Sequence, residues 1–269
     1  MSLIAERTRD GLKYIQFESM CELKLRHGFF TRHGGVSPEP FDSLNMATTV
    51  GDRNENVLEN LKRMFSVFGL DLATRYDGWQ VHSGTVTCVT APRDPRARSL
   101  RTDALVTDRP DVTLVMRFGD CVPVILVDPV RRVAAVYHAG WPGTVKKIGA
   151  NVVHVMKKVY GCDPRDVIAG IGPSIGPDRF EVKEDVAGQL RAAFPDDREK
   201  IERRDAQGRI FFDLWTANRL TLEGCGVERI DVAGICTVQN RGDWFSHRGD
   251  SGKTGRFGVL VSLDGMKYV

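Results

Sequence analysis

The chain has 269 residues, of which 42% are hydrophobic and 27% are charged, so it can bury a sizeable core and has an ordinary globular composition. Its formal net charge of +3 is too small to indicate a nucleic-acid-binding protein. No apolar run approaches the roughly 18 residues of a membrane span, and the charged residues 1–17 do not have the pattern of a secretory signal. We therefore expect a cytoplasmic protein that binds neither nucleic acid nor membranes.

Periodic patterns of apolar residues predict helices and strands that do not alternate strictly. In chain order, these elements are a helix over 55–68, strands over 112–117, 122–127 and 132–137, a helix over 144–160, a strand over 166–171, a helix from the candidate N-cap Asp213 to near Gly224, and a strand over 230–235. The charged stretches 91–101 and 195–209 are predicted to be exposed loops. The mixture favours an α+β fold with a mixed or antiparallel sheet.

The six cysteines and six histidines form no local metal-binding motif. Neither a CxxC pair nor an HExxH sequence occurs, so neither a zinc knuckle nor a zinc-protease helix is indicated. Without an export signal, we expect the scattered cysteines to be reduced thiols. A metal site would therefore need ligands that meet only through the fold.

The predicted strands over 122–127 and 132–137 flank residues 128–131, which read as the turn of a hairpin. A symmetric register places Cys121 directly opposite His138 at the open end. Directly opposite residues have Cβ atoms about 4.5–5.5 Å apart, which suits two ligands of one metal ion. A cysteine before a strand and a histidine at a strand end are equally typical of structural residues, so the spacing alone leaves both interpretations open.

His82 is the candidate third ligand. It begins an alternating stretch that contains Val86 and Val89 and is predicted to run as a strand beside the hairpin. Two histidines and one cysteine leave an open fourth position, as in a catalytic zinc site. The same donors suit copper, so the residue types do not select the metal.

Three further stretches have the composition of anion-binding loops. Residues 138–144 form a glycine-rich turn that leads into a helix, which indicates either an anion-binding corner or only a tight connection. The loop over 27–45 contains Arg32 and Asn45, and the loop over 245–257 contains Arg248, Lys253 and Arg256. Both loops are predicted to present cationic groups to an anionic substrate, or to be surface turns.

A series of short sequence blocks, which occur together in one order, is specific enough to indicate a family. The blocks are HGFFTRHGGVS, FDSLNMATTVGD, WQVHS, TDALVTD, GDCVPVILVD, HAGWPG, IGPSIGPDRFEV, CTV and FSHRGDSGKTGRF, from residue 27 to residue 257. In these blocks the chain resembles the YfiH family, whose members are also described as laccase-domain or polyphenol oxidase proteins and as purine nucleoside phosphorylases. The resemblance implies a single α+β domain over residues 1–269, with a mixed β-sheet flanked by helices.

The resemblance also implies a metal site and an activity. The metal triad of the family corresponds to His82, Cys121 and His138, with zinc as the expected ion and copper as the alternative. The implied reaction is phosphorolysis of adenosine to adenine and ribose 1-phosphate, with inosine, guanosine and methylthioadenosine as further substrates and adenosine deamination as a further activity. The implied partners are a small-molecule nucleoside and phosphate; the oligomeric state is left open.

Roles in substrate binding or proton transfer are expected for seven residues outside the triad. Arg32 and Arg248 would neutralise the negative charge of the substrate. Trp141 or Phe180 would stack on a purine. Glu181 or Asp120, which precedes Cys121, would transfer protons. The remaining member of the set is Asn45.

The sequence departs from the family pattern at four positions. Trp79 and Gly119 stand where the family has asparagine and alanine, and His247 stands where it has tyrosine. Pro142 replaces the arginine of the HAGWRG block, and a proline cannot form a bidentate contact with an anion. The replacement of this arginine keeps a binding module without catalysis open as an alternative. Two others also stay open: a copper-dependent phenol oxidase, and a cysteine hydrolase or amidase that edits peptidoglycan precursors.

Overall fold

The computed structural model describes residues 4–267, which contain fifteen strands and seven α-helices. The strands are β1 (Ile4–Arg9), β2 (Leu12–Phe17), β3 (Arg26–Phe30), β4 (Arg75–Asp77), β5 (Val86–Cys88), β6 (Ala104–Thr107), β7 (Thr113–Phe118), β8 (Val122–Asp128), β9 (Val133–Ala139), β10 (Ile168–Ile171), β11 (Glu181–Val182), β12 (Glu202–Arg204), β13 (Ile210–Phe212), β14 (Arg229–Val232) and β15 (Phe257–Ser262). The helices are α1 (Glu18–Cys21), α2 (Asn54–Ser66), α3 (Trp141–Val145), α4 (Ile148–Tyr160), α5 (Glu184–Ala193), α6 (Arg198–Ile201) and α7 (Leu214–Glu223).

The strands form three sheets instead of the one that was expected. The first sheet has the order β1-β2-β3-β15-β7-β4, the second has the order β14-β10-β8-β9-β6-β5, and a small third sheet has the order β11-β13-β12. Both six-stranded sheets are mixed, because β4 runs parallel to β7 and both β5–β6 and β10–β14 are parallel pairs. The predicted α+β class with mixed strand directions is therefore confirmed.

The two six-stranded sheets face each other, and helices cover their outer faces. Ile125 of β8 packs in one apolar cluster with Phe29 and Met116 of the first sheet, whereas its neighbour Val124 packs in another cluster with Val152 of α4. This alternation follows because successive strand residues point to opposite faces. A third cluster joins α2 to the outer face of the first sheet. Within residues 4–267, no helix is long and apolar enough to span a membrane.

The three predicted helices are present, one of them with a break, whereas α1, α5 and α6 were not predicted. The predicted helix over 55–68 corresponds to α2, and Asp213 caps α7 by accepting the backbone N–H of Thr216 at 2.9 Å. The predicted helix over 144–160 is divided into α3 and α4 because Lys147 adopts a left-handed backbone with φ of 54°. In addition, α3 begins at Trp141, which is three residues earlier than the predicted start and shortly after the end of β9.

Two predicted loops contain regular structure. Residues 195–209 include α6 and β12, so the prediction that this stretch is a loop is wrong for part of it. The buried side chain of Ile201 and the ion pair of Glu202 with Arg191 hold these two elements against the protein. Residues 27–45 begin within β3, whose inner residues are buried. Residues 91–101 have no helix or strand, as predicted.

The hairpin of β8 and β9 exists, but its predicted register is wrong by two residues. Asp128 pairs with Val133, and His138 pairs with Pro123, so Cys121 lies opposite Gly140 one step beyond the last pair. The connection is longer because the Asp128 carboxylate accepts two N–H groups of the loop, which closes after a left-handed residue. A shift of two keeps every side chain on its predicted face, whereas a shift of one would have separated the two candidate ligands.

Candidate metal centre

The structure brings His82, Cys121 and His138 together. Their potential ligand atoms all lie within 4.8 Å of one another. Sγ of Cys121 is 3.7 Å from Nε2 of His82, and the centroids of the two histidine rings are 4.9 Å apart. His138 is buried, Cys121 is half-buried and His82 is exposed, so the group opens to solvent on one side.

Each member of this trio comes from a different kind of backbone position. His138 lies near the end of β9, and Cys121 immediately precedes β8. His82 lies in a loop and has a left-handed backbone with φ of 57°, so the prediction that it begins a strand beside the hairpin is wrong. The short strand β5 starts only at Val86 and is separated from β9 by β6, which the sequence patterns did not identify.

Gly140 allows the trio to come together. A β-carbon at this position would lie 2.8 Å from Cδ2 of His82 and 3.0 Å from Sγ of Cys121. Neither contact leaves room for a side chain, so a residue larger than glycine would force the two candidate ligands apart. The close approach of His82 and Cys121 to the backbone therefore explains why Gly140, the first glycine of the HAGWPG block, has no side chain.

Asp103, immediately before β6, contacts both histidines and was missed by the sequence patterns. Its buried carboxylate accepts the Nδ1 proton of His138 at 3.0 Å and the backbone N–H of His82 at 3.0 Å. It also accepts the backbone N–H and the hydroxyl of Ser83, at 2.6 and 2.7 Å. The TDALVTD block contains this residue, but no local spacing relates it to either histidine.

The electrostatics of the trio favour a thiolate. Burial alone would raise the pKa of the Cys121 thiol, but the adjacent His138 and His82 rings outweigh it and lower that pKa to about 6. Burial would likewise lower the pKa of His138, but the Cys121 thiolate and the Asp103 carboxylate raise it. Burial would raise the pKa of Asp103, yet its hydrogen bonds from His138 and Ser83 keep it low.

These donors fit a zinc ion. Asp103 occupies Nδ1 of His138 and leaves Nε2 as the lone-pair donor, while Cys121 offers a thiolate. Two nitrogen donors and one sulfur donor match zinc sites that keep one position open, and the carboxylate behind a ligating histidine is a common supporting feature. Copper accepts the same donors, so the geometry does not select between the two metals.

The trio lies on the wall of a cavity of about 810 Å³, a size typical of small-molecule sites. Residues from several parts of the chain line it: Met46, Ala47, Thr48, Thr49, Val57, Leu61, Arg75, Asp77, Gly78, Trp79, Gln80, His82, Arg93, Ser99, Arg117, Gly119, Cys121, His138, His247 and Arg256. Three of the four departures from the family pattern, Trp79, Gly119 and His247, are in this lining. The chain therefore differs from the family pattern where a ligand would be contacted.

Most of the cationic groups of the cavity are not the ones that the sequence suggested. Arg75, Arg93 and Arg117 line it, although they are scattered along the chain without a motif. Arg256, in the loop predicted to present cations, also lines it, and Gly119 leaves room for that arginine, since a β-carbon there would lie 3.0 Å from its Cδ.

The structure places Arg32 and Asn45 in internal contacts. Arg32 donates to the carbonyl and the carboxylate of Asp42 at 2.7 and 2.9 Å and stacks on Phe245. Asn45 is fully buried, and its amide bonds to Asp52 and to the backbone of Arg256. Within residues 4–267, neither side chain lines the cavity of the trio. Asn45 nevertheless supports the segment that carries Arg256.

Phe180, Glu181 and Arg248 form a separate cluster. The guanidinium of Arg248 lies 5.8 Å from the Phe180 ring centroid and donates to the backbone carbonyl of Glu181 at 3.1 Å. Trp141 starts α3 and packs against the core next to the second sheet. Among the described residues, none of these four is part of the lining of the 810 Å³ cavity.

Two other expectations concern Asp120 and the corner after His138. Both carboxylate oxygens of Asp120 are engaged, since they accept from Thr237, Ser246 and the backbone of Arg248. Pro142 lies in the first turn of α3, which has only five residues, so this corner offers little of the aligned backbone of a longer helix. The ammonium group of Lys146, after this corner, donates to the carbonyl of His82 at 2.8 Å and so contacts the loop of that candidate ligand.

Comparison with known proteins gives consistent matches over nearly the whole chain. A family model described as multi-copper polyphenol oxidoreductase laccase matches residues 26–264. The chain is 37% identical over 248 residues to purine nucleoside phosphorylase YlmD of Bacillus subtilis (strain 168), covering 89% of this chain and 88% of the relative. It is 39% identical over 246 residues to a purine nucleoside phosphorylase of Deinococcus radiodurans, covering 90% of both.

A solved structure has the same fold. The crystal structure of the hypothetical protein YfiH of Bacillus licheniformis superposes with a TM-score of 0.89 at 33% identity, covering 96% of this chain and 99% of that one. This match confirms the resemblance that was inferred from the ordered sequence blocks.

Proposed function

The chain belongs to the family described as multi-copper polyphenol oxidoreductase laccase, and on that premise we propose that it cleaves purine nucleosides by phosphorolysis at a zinc ion. His82, Cys121 and His138 would hold the ion. The observation that carries this proposal is the convergence of their ligand atoms within 4.8 Å on the wall of a cavity large enough for a nucleoside. The names of the relatives, purine nucleoside phosphorylases, supply the reaction class.

In the proposed reaction, a phosphate oxygen forms a bond to C1′ of the ribose and the C1′–N9 bond breaks. The electron pair of the broken bond leaves with the purine, which takes up a proton, and the products are the free base and ribose 1-phosphate. A zinc ion with an open position supplies Lewis-acid polarisation of an oxygen atom. Adenosine is the first substrate to test, followed by inosine, guanosine and methylthioadenosine, and deamination of adenosine is the proposed additional activity.

The protein contributes binding and orientation. The ring of Trp79, which is 51% exposed, lines the cavity and would stack on the purine. Arg256 brings a positive charge close to Cys121 and would neutralise an anionic substrate. Asp103 would keep His138 in a single tautomer and hold the His82 loop against it.

The test is product formation by purified, zinc-loaded protein. Incubation with adenosine and phosphate should release adenine and ribose 1-phosphate only when phosphate is present, whereas hypoxanthine would report deamination. The Cys121→Ala and His138→Ala variants should lose the activity. The matched control His154→Ala changes an exposed histidine of α4 and should keep it. Absence of adenine and hypoxanthine with the zinc-loaded protein would reject the proposal.

A copper-dependent phenol oxidase is a second candidate, because the family description names one. A multicopper oxidase needs a blue copper site and a trinuclear cluster with many histidine ligands. Among the described residues, one group of three metal-binding side chains comes together, and two of its three members are histidines. This group has too few histidines for those copper sites. Copper-dependent dioxygen uptake with a phenol substrate would favour this candidate over phosphorolysis.

A cysteine hydrolase or amidase is a third candidate, because a Cys121 thiolate beside His138 resembles a nucleophile with its base. Such an enzyme would stay active in the presence of a chelator and would be inactivated by alkylation of Cys121. A zinc enzyme would be inhibited by the chelator and restored by zinc, so the two experiments separate the candidates.

A further inference from the structure

Three arginines surround one aspartate on the wall of the cavity. Arg93 Nη1 lies 3.2 Å from Oδ1 of Asp77, Arg75 Nε lies 3.9 Å from the same oxygen, and Nη2 of Arg117 contacts Oδ2. The arginine side chains are only 20–24% exposed, and that of Asp77 is 9% exposed. One carboxylate cannot neutralise three guanidinium groups, so this arginine cluster carries a local charge of about +2.

The cluster also has unused donors. Nε of Arg93 is buried and has no hydrogen-bond partner among the described residues. The guanidinium of Arg75 makes no hydrogen bond within residues 4–267, and its ion pair among these residues is with the Asp77 oxygen at 3.9 Å. Burial lowers the pKa of Arg75 more than Asp77 raises it. A buried guanidinium donor without a partner, as at Nε of Arg93, is costly, which indicates a site that is completed by an anion.

We propose that Arg75, Arg93 and Arg117 form a phosphate-binding subsite of this cavity. A phosphate dianion matches the charge of the cluster and offers more acceptor oxygens than a carboxylate does. Guanidinium groups bind such oxygens through paired, charge-assisted hydrogen bonds. The subsite would take over the role that the family arginine, replaced here by Pro142, was expected to have.

The subsite is connected to the metal-binding trio through Gln80. The Gln80 amide donates to the backbone carbonyl of Arg117 at 2.7 Å and accepts its N–H at 2.9 Å. Gln80 is two residues before His82, so the loop that carries this candidate ligand is fastened to the strand that carries Arg117. A phosphate group held by the arginines would therefore lie in the same cavity as the trio.

This subsite deepens the proposed function and rests on it for the identity of the ligand. The phosphate group has two sources: inorganic phosphate as the co-substrate, or the phosphate of a nucleotide. Both sources share the chemistry that the arginines recognise.

Direct binding tests the subsite without turnover. The zinc-loaded protein would be titrated by calorimetry at low ionic strength with inorganic phosphate, with adenosine 5′-monophosphate and with adenosine. Arg75→Gln and Arg93→Gln should each weaken the binding of inorganic phosphate or of adenosine 5′-monophosphate by about tenfold. This is roughly the factor that one charge-assisted hydrogen bond contributes. Adenosine should bind equally well to all variants. The matched control Arg165→Gln removes an exposed arginine, paired with Asp163, from outside the cavity.

The outcomes separate the two sources and the two proposals. An effect on inorganic phosphate identifies the co-substrate, and an effect on the nucleotide alone identifies a nucleotide phosphate; either supports the subsite. Arginine-dependent phosphate binding without adenine formation would support the subsite and reject phosphorolysis. Unchanged affinities in both variants, or no binding of either phosphate ligand to the wild type, would overturn the subsite.

The two variants differ in their risk of unfolding. Arg93 bonds to Asp77 and to the carbonyl of Ala97, so its substitution can disturb the fold. Arg75 has no side-chain hydrogen bond to lose among the described residues, so Arg75→Gln should keep the melting temperature of the wild type. If Arg93→Gln unfolds, the binding result for Arg75→Gln alone decides the proposal.

Discussion

The carboxylate of Asp103 lies 3.0 Å from Nδ1 of His138 and accepts a hydrogen bond from its N–H group. The same carboxylate accepts the backbone N–H of His82 at 3.0 Å, so one buried side chain orients two of the three candidate ligands. A carboxylate in this position fixes the tautomer of the histidine and makes its other nitrogen a better donor. Asp103 is thus a positioning residue, which acts through His138 and the His82 loop.

Replacement of Asp103 by asparagine should weaken zinc binding by about 10- to 100-fold, because the histidine loses the charge behind it. Competition with a chromogenic chelator measures the affinity. Asp128→Asn is the matched control, since Asp128 is also fully buried and caps the hairpin loop away from the trio. Equal zinc affinity of Asp103→Asn and wild-type protein would contradict the positioning role.

In the metal-free protein, Cys121 should react with iodoacetamide at a rate that rises with pH, with a midpoint near pH 6, and then levels off. The reason is that the neighbouring histidines lower the pKa of this thiol to about 6, and only the thiolate is nucleophilic. Peptide mass spectrometry across the pH range measures the modification, with the exposed Cys88 as an internal reference. Zinc should protect Cys121. A midpoint near the ordinary thiol value of about 8.5 would show that the histidines do not stabilise the thiolate.

Replacement of Trp79 by alanine should raise the KM for a purine nucleoside by about fivefold or more, since stacking on an aromatic ring contributes roughly 1–3 kcal/mol per base. Trp79→Phe should retain most of the affinity. The matched control is Leu100→Ala, because Leu100 is a neighbouring residue with 53% exposure that does not line the cavity. Steady-state kinetics provide the readout, and an unchanged KM in Trp79→Ala would rule out stacking at this position.

Acid should destabilise the protein through His27, which is fully buried in β3. Its Nε2 accepts the backbone N–H of Phe17 at 2.9 Å, and burial lowers its pKa to about 4. The unfolded chain takes up this proton below about pH 6.5, whereas the folded chain does so only near pH 4. The stability contribution of neutral His27 is therefore complete above pH 6.5 and decreases by about 3 kcal/mol as the pH falls to 4.

Urea denaturation at several pH values tests this prediction. His27→Gln should be less stable at neutral pH but should show a smaller loss of unfolding free energy between pH 6.5 and 4. His154→Gln, at an exposed position, should follow the wild type. The same pH dependence in His27→Gln and wild-type protein would assign the acid sensitivity to other groups.

Much of the candidate site could be predicted because the ordered blocks and the hairpin pattern identify His82, Cys121 and His138. The predicted register was wrong by two residues, yet the prediction of a shared face survived because strand side chains alternate with a period of two. Asp103 and Arg75 escaped prediction because their roles depend on partners far along the chain. Asn45 belongs to a recognisable block, but only the structure shows that its amide is used inside the protein.

By itself, the sequence determined several of the helices and strands and the residue types of the candidate metal site, because helical and strand periodicity and turn residues act over a few positions. Only the tertiary structure decided which strands are neighbours, that β6 brings Asp103 behind His138, and that three arginines meet around one aspartate. The physical reason is that strand pairing and face-to-face packing of sheets join residues by burial and hydrogen bonding at any sequence separation. No short-range pattern records those contacts.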